Sequence, residues 1–195
     1  MAEERILVLG VGNVLMRDEG VGPRIVEALT AGYSLPDNVR VVDAGTLGFA
    51  IVHLLRDVDY VLVADAVDGT GHPPGTVLRL KPEHFAPNQV LHSLHDVRLV
   101  DVLAAARLIG VEPDVECVGV QVEDIAPEEF EVGLTPAVEA ALPRAVAAVL
   151  MLLEERGVRH ATTSAANPGF AAAVAGALAE MRMRLETTGS SADYS

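Results

Sequence analysis

The stretch "LVLGVGNVLMRDEGVG", residues 7 to 22, decides the fold of this chain. An apolar run with the character of a buried strand leads into a glycine-rich turn, and two acids, Asp18 and Glu19, stand where a helix begins. A glycine-rich turn after a first strand commonly holds a nucleotide phosphate on the amides of the helix N-terminus. Carboxylates repel phosphate, so the stretch raises the question of what else this turn binds.

The turn departs from the known nucleotide and hydrolase motifs. Leu15 stands where G-x-G-x-x-G requires its third glycine, and G-K-S or G-K-T occurs nowhere in the chain. The G-x-S-x-G elbow of serine hydrolases and the H-E-x-x-H helix of zinc proteases are also absent. A small nucleotide-binding module therefore stays only as a weak alternative.

Composition limits the class of protein further. A chain of 195 residues that is 50% hydrophobic, 4% aromatic and free of Trp fits one domain with a Val, Leu, Ile and Ala core, which is typical of α/β proteins. The formal net charge of −14 gives no electrostatic basis for binding nucleic acid. The acidic opening Met-Ala-Glu-Glu-Arg is unlike a secretory signal, and no uncharged stretch reaches membrane-spanning length. We therefore expect a cytoplasmic protein with no membrane segment, in which the lone Cys117 is a buried core residue.

Hydrophobic periodicity and turn signals predict alternating strands and helices. The predicted strands span 5–10, 39–43, 60–65, 76–80 and 114–122, and the predicted helices span 19–30, 93–108 and 136–156, with a further helix that Thr46 caps and that carries Phe49, Val52 and Leu55 on one face. This order predicts a mostly parallel sheet with helices on both faces. The connection "AVDGTGHPPG" at 66–75 is too short for a crossover helix, so the fourth strand is predicted to be antiparallel.

The last part of the chain has a different pattern. We assign residues 1–157 to the main domain and 158–195 to a flexible arm, which carries an amphipathic helix at about 169–186 and a disordered tail. The pattern does not decide whether this helix packs on its own domain or on a partner.

Three side chains that can ligate a metal fall at the carboxyl ends of the predicted strands, where ligands bind in such sheets. They are Glu19 after the first strand, Asp65 at the end of the third, and His95 at the start of the 93–108 helix. Two carboxylates and an imidazole suit a divalent transition metal with open positions for substrate or water. Structural roles compete with this one, because acids offset a helix dipole, Asp65 can begin a turn, and a capping box from Ser93 to Asp96 also explains the local sequence at His95.

Several motifs in the same order resemble the hydrogenase maturation endopeptidases, which trim the C-terminus of the nickel-iron hydrogenase large subunit. The matching stretches are "ILVLGVGNVLMRDEGVGPRIVEAL" at 6–29, "VRVVDAGTLGF" at 39–49, "VLVADAVDG" at 61–69, "PGTVLRL" at 74–80, "SLHDVRLVDVLAAARLIG" at 93–110 and "VECVGVQVEDIAPEEFEVGLTPAVEAALPRAV" at 115–146. The resemblance covers about residues 5 to 156. It departs at Asp43-Ala44-Gly45-Thr46, where the family often has D-G-G-T, and at His95-Asp96, where the family often has H-Q.

The resemblance implies a fold, an activity and a site. The fold is a three-layer α/β/α sandwich of the phosphorylase/hydrolase-like type, whose five-stranded sheet has its fourth strand antiparallel. The activity is that of a metal-dependent or aspartyl-type endopeptidase that acts on the large-subunit precursor after nickel insertion. Glu19, Asp65 and His95 would bind the nickel that the precursor carries, another divalent metal being able to replace it, and Asp43 would position the peptide.

The ion would then polarise the scissile carbonyl or activate the attacking water. We expect a monomer. The alternative on the same fold is a non-catalytic binding protein of hydrogenase maturation, which would hold its partner through the 169–186 helix.

Overall fold

The computed structural model describes residues 3–81, 99–124, 127 and 130–188. The strands are β1 (Ile6–Val11), β2 (Tyr33–Ser34), β3 (Val39–Gly45), β4 (Tyr60–Val67), β5 (Val77–Leu80), β6 (Asp114–Gln121) and β7 (Ala161–Thr162). The helices are α1 (Val21–Gly32), α2 (Ile51–Leu54), α3 (Leu99–Leu108), α4 (Pro136–Glu155) and α5 (Pro168–Thr188), with 3-10 turns at Arg17–Gly20 and Gly48–Ala50. The predicted part of the third helix that precedes Leu99, including His95, lies outside the described residues.

The central sheet has the strand order β3-β1-β4-β6-β5. β1 pairs in parallel with β3 and β4, β4 pairs in parallel with β6, and β5 pairs antiparallel with β6. The predicted antiparallel fourth strand is therefore confirmed as β5. One core cluster joins the sheet to α1, α4 and α5, and a second joins its other face to α2 and α3, which gives the three layers that the sequence predicts.

The glycines of the opening stretch permit close backbone packing. A Cβ on Gly22 would lie 2.1 Å from the carbonyl oxygen of Val11 and 2.4 Å from that of Ala64, and one on Gly10 would lie 2.6 Å from the oxygen of Gly22. The first turn of α1 therefore rests directly on the ends of β1 and β4. At Gly12, φ is +141° and a Cβ would lie 1.9 Å from the oxygen of Glu19, so the 3-10 turn folds back against this glycine. These residues serve helix-to-sheet packing, which explains a glycine-rich turn without a phosphate.

The second helix differs from its prediction. Leu47, not Thr46, precedes the 3-10 turn Gly48–Ala50, and no side chain caps it. Leu55 is buried as predicted, but Phe49 is 53% exposed. The regular part is short, Ile51–Leu54, and the 3-10 turn rotates Phe49 away from the face that a continuous helix would bury.

The chain after Gly157 returns to the main body. Ser34 and Tyr33 pair antiparallel with Ala161 and Thr162, a small sheet that the sequence analysis missed. The predicted amphipathic helix is present as α5, and it packs on α4. Its Val174, Leu178 and Met181 are buried in the same core cluster as α1 and α4, so its apolar face is used within the chain. The domain boundary at residue 157 stays a prediction.

Helix α4 lies at the centre of one layer. In the described part of the chain it is the one helix long and apolar enough, by length and composition, to span a membrane, but 67% of that apolar window is buried inside the fold. It begins with Pro136 and runs as predicted, ending one residue early at Glu155. Cys117 is buried, as predicted.

Candidate functional site

Glu19 sits in the 3-10 turn that links β1 to α1. The turn contacts β4, and the fold of residues 12 to 20 leaves Glu19 only 3% exposed. Burial raises the pKa of its carboxyl, because a charged group loses hydration inside the protein. An acid whose only task was to offset a helix dipole would do so from the exposed first turn, so the burial of Glu19 favours a functional role.

Asp18, its neighbour, has a structural role that the structure defines well. The Asp18 side chain is fully buried and accepts hydrogen bonds from the backbone N–H groups of Glu123 at 3.1 Å, Asp124 at 3.1 Å and Thr135 at 2.7 Å. The Thr135 hydroxyl donates a fourth at 2.9 Å, and it makes no capping hydrogen bond to α4. One acid of the pair thus ties the loop between β6 and α4 to the turn that carries the other.

Asp65 lies near the end of β4 on the face that packs against α2 and α3. Val63 and Cys117, which are paired in the sheet, belong to that core cluster, and Asp65 follows Val63 by two residues and so shares its face. Its carboxylate accepts a hydrogen bond of 2.8 Å from the Ala66 N–H. The side chain keeps some exposure at the sheet edge, although protein surrounds most of it.

The charges of Glu19 and Asp65 act on each other. Burial raises the pKa of Asp65 well above its ordinary value, the Ala66 N–H opposes this, and the negative charge of Glu19 raises it further. Asp65 in turn adds to burial in raising the pKa of the Cys117 thiol. When two carboxylates share a poorly hydrated site, the negative charge of one makes ionisation of the other unfavourable. A bound divalent cation offsets this repulsion between the two carboxylates. The donor chemistry therefore fits a metal ion.

Asp43 occupies the neighbouring position on the other side of β1. It is exposed, and it accepts a hydrogen bond of 2.9 Å from the Gly45 N–H, which fixes the turn after β3. Asp43 and Ala64 are both paired with Gly10, on opposite sides, so their backbones lie about 10 Å apart across two strand spacings. Asp43 is thus at the same edge as Asp65 but at a separate position.

The described residues do not hold a complete set of three ligands. No group of three His, Cys, Asp or Glu side chains able to hold a metal is found among them, and His95 lies outside them. The structure packs the turn that carries Glu19 against β4, the strand that carries Asp65, with Asp43 further along the edge, and the shared site stays a prediction.

Sequence reasoning missed Gln121, which is 5% exposed and organises the turn after β4. Its side-chain carbonyl oxygen accepts hydrogen bonds from the Thr70 N–H at 3.2 Å and from the Thr70 hydroxyl at 2.5 Å. Its side-chain amide N–H donates to the Asp68 carboxylate at 3.1 Å. Thr135 was missed in the same way. No local signal reveals either residue, because each acts on a segment far away in the sequence.

The fold and the placement of these side chains define an α/β protein with acidic residues gathered at the carboxyl edge of a mostly parallel sheet. Residues 23–152 match the family model described as "Hydrogenase maturation protease". The chain is 42% identical over 158 residues to the Hydrogenase 2 maturation protease of Escherichia coli K12, an alignment that covers 79% of this chain and 93% of that relative. This chain belongs to the hydrogenase maturation protease family and is a peptidase.

Solved structures agree with this assignment. The hydrogenase maturating endopeptidase HybD from Escherichia coli matches with a TM-score of 0.74 and 42% identity, over 82% of this chain and 98% of that one. The hydrogenase 2 maturation peptidase from Thaumarchaeota archaeon SCGC_AB-539-E09 matches with a TM-score of 0.56 and 36% identity, over 77% and 98%. The α/β sandwich predicted from the sequence is confirmed.

Proposed function

We propose that this chain removes the C-terminal extension of a nickel-iron hydrogenase large-subunit precursor after nickel insertion. The observation that carries the proposal is the pair of carboxylates, the buried Glu19 and the partly buried Asp65, whose charges repel each other at the carboxyl edge of a family member's sheet. Such a pair is prepared for a cation that arrives with the substrate. We further propose that the protein acts as a monomer in the cytoplasm.

His95 completes the proposed nickel site with an imidazole ligand. It precedes Leu99, the first described residue of α3, by four residues, a span of at most about 14 Å. α3 packs on the same face of the sheet as Asp65, and β6 starts at the opposite edge shortly after α3 ends. The start of α3 therefore points toward the edge that holds Glu19 and Asp65, and this supports the assignment.

In this proposal the substrate's nickel serves as the recognition element. The ion polarises bound oxygen when it is held in the site. Glu19 and Asp65 bind and orient it, while Asp43, exposed beside them, positions the peptide backbone. Recognition of the precursor then depends on whether it carries nickel, because without the ion the negative charges of the two carboxylates are not neutralised.

The test is a cleavage assay read by the mass of the precursor. We expect the purified protein to shorten nickel-loaded precursor and to leave nickel-free precursor intact. Glu19→Gln removes one charge from the site and should lower cleavage by at least about 100-fold. Glu27→Gln, an exposed acid of α1, is the matched control and should cleave normally. Equal cleavage of both precursors, or full activity in Glu19→Gln, would refute the proposal.

The non-catalytic alternative has no observation in its favour. It required the helix of the C-terminal segment to offer its apolar face to a partner, but Val174, Leu178 and Met181 of α5 are buried against the chain's own core.

A further inference from the structure

Six large apolar side chains are exposed on three loops at the carboxyl edge of the sheet. They follow β1, β3 and β6, and we call them the apolar rim: Val14, Leu15, Leu47, Phe49, Phe130 and Val132. The most exposed of them is Phe130, at 78%. In the part of the chain that the structure describes, the other large apolar side chains with comparable exposure are Leu108, Ile109 and Met183, which lie elsewhere. Grouped exposed apolar side chains mark binding surfaces.

Backbone hydrogen bonds hold the three loops together. The N–H of Glu131 donates to the oxygen of Leu15 at 2.9 Å, and the N–H of Arg17 donates to the oxygen of Glu131 at 2.7 Å. On the other side, the N–H of Gly12 donates to the oxygen of Gly45 at 3.0 Å. The rim is therefore a surface with fixed geometry, which a partner can meet without first ordering the loops.

The rim is continuous with the acidic site. Leu15 precedes Glu19 by four residues. The loop that carries Phe130 is tied to Asp18, the neighbour of Glu19, through the hydrogen bond from Thr135. A chain bound on the rim thus passes next to Glu19. This continuity separates the rim from Leu108, which is 89% exposed at the far end of α3.

The charge around the rim selects the chemistry of the partner. Acids lie beside the rim, Asp43 near the end of β3 and Glu123, Asp124 and Glu131 in the loop after β6, in a chain of net charge −14. Arg17 pairs with Glu131 at 2.5 Å and approaches Asp124 at 3.7 Å, so it is already engaged inside this cluster. The surroundings of the rim therefore favour apolar residues with basic neighbours.

We propose that the apolar rim is the docking surface for an apolar segment of the substrate, flanked by basic residues and lying next to the peptide bond that is cut. This rests on the function proposed above. The rim binds the polypeptide and the carboxylates bind its nickel, so a productive complex requires both. A precursor segment lacking apolar residues would then be a poor substrate even when loaded.

The test compares kcat and KM for nickel-loaded precursor. Phe49→Ser and Phe130→Ser should each raise KM by at least about 5-fold, and the double variant by at least about 20-fold, with kcat within about 2-fold of the unchanged protein. Leu15→Ser is an independent rim variant with the same expectation. Leu108→Ser is the matched control and should leave KM unchanged. A KM within about 2-fold of normal in the double variant overturns the proposal.

Binding measurements separate this proposal from the proposed function. If the unchanged protein fails to cut, the function is wrong, and the rim is then judged by equilibrium binding of the precursor to the unchanged protein, the double variant and Leu108→Ser. Weaker binding by the double variant alone supports the rim, whereas equal binding, or none by any form, overturns it. Analytical ultracentrifugation without precursor tests whether a second copy of this chain occupies the rim. A dimer that the double substitution dissociates would also overturn the proposal.

Discussion

Asp65 illustrates how a charged side chain at the carboxyl edge of the sheet can weaken the fold. Burial, followed by the charge of Glu19, raises its pKa in the folded protein above the ordinary value of 3.8. A carboxyl whose pKa rises on folding takes up protons on folding. Stability therefore falls as the pH rises from the unfolded pKa through the folded pKa.

Asp65→Asn should stabilise the metal-free protein at neutral pH. Asn keeps the acceptor for the Ala66 N–H and removes the charge from a position that protein largely surrounds. We expect the unfolding midpoint at about pH 7 to rise by at least about 2 °C and to depend less on pH than before. Differential scanning calorimetry from about pH 4 to about pH 8 measures both. A midpoint that falls, or an unchanged pH profile, would show that the charge at this position is well tolerated.

Asp18 has the opposite role, because it accepts hydrogen bonds from four donors, and removing its carboxylate leaves the buried N–H and hydroxyl of Thr135 without an acceptor. Asp18→Asn places an amide N–H against donors at Glu123, Asp124 and Thr135, and should lower the free energy of unfolding by about 3 kcal/mol. Thr135→Val loses one of these hydrogen bonds and should lower it by about 1 kcal/mol. Urea denaturation measures both, and equal losses would contradict the assigned contacts.

Close packing of α1 on the sheet depends on glycine at one helical position. Gly22→Ala drives a methyl group into the oxygens of Val11 and Ala64 and should lower the free energy of unfolding by more than about 3 kcal/mol. Gly176→Ala, in α5 with no atom within 4 Å of the added Cβ, should instead raise it by about 1 kcal/mol. Chemical denaturation of the two variants gives the comparison, and a mild effect at Gly22 would mean that α1 can move away from β1.

Helix α5 is attached through Glu154 near the end of α4. Glu154 pairs with Arg182 of α5 at 2.6 Å and with His160 at 2.7 Å. Burial raises its pKa, but the hydrogen bonds from Arg182 and then His160 outweigh burial, and the net pKa is lowered. The stabilisation is present above the ordinary pKa of 4.5 and is lost as the pH falls through the lower folded value.

Glu154→Gln should therefore loosen α5 at neutral pH and have little effect in acid. We expect a loss of about 1 kcal/mol or less, because the pair is partly exposed. Hydrogen exchange of α5 amides at about pH 7 and, in acid, at a pH below the lowered folded pKa of Glu154 is the measurement. Glu112→Gln, an exposed loop acid, is the control. Faster exchange at the lower pH only, or no change at either, would contradict the role given to this pair.

The strands were predictable because their signals are local. Buried apolar runs fixed all five strands of the main sheet, and the short link at 66–75 fixed the direction of β5. Helix α2 was not predictable in detail, since a 3-10 turn shifts the buried face by a fraction of a turn and exposes Phe49. The β2 and β7 pair consists of two residues on each strand, too short for any periodicity.

The site was predictable only in part. Glu19 and Asp65 follow from their places at strand ends, because parallel strands bring those ends together. The hydrogen bonds of Asp18 join residues more than 100 positions apart, so no pattern near Asp18 predicts them. Hydrophobic periodicity does not predict the exposed rim either, because it does not distinguish an apolar residue on the surface from one in the core.

Considered as a whole, the molecule places different tasks at the two edges of its sheet. The amino edge carries ion pairs that fasten the layers, such as Arg79 with the buried Glu116 at 2.5 Å, and Arg156, which pairs with Glu4 at 3.0 Å and lies 3.8 Å above the ring of Tyr60. The carboxyl edge carries Glu19, Asp65, Asp43 and the apolar rim. The carboxyl edge is itself braced by the hydrogen bonds of Asp18, and the binding roles proposed above lie beside that bracing.

The most direct test of the account is anomalous diffraction at the nickel edge from crystals of this protein grown with nickel. The account predicts one peak that lies about 2.0–2.2 Å from a carboxylate oxygen of Glu19, a carboxylate oxygen of Asp65 and a ring nitrogen of His95. Nickel bound elsewhere, with any of these three side chains too distant to touch it, would contradict the account.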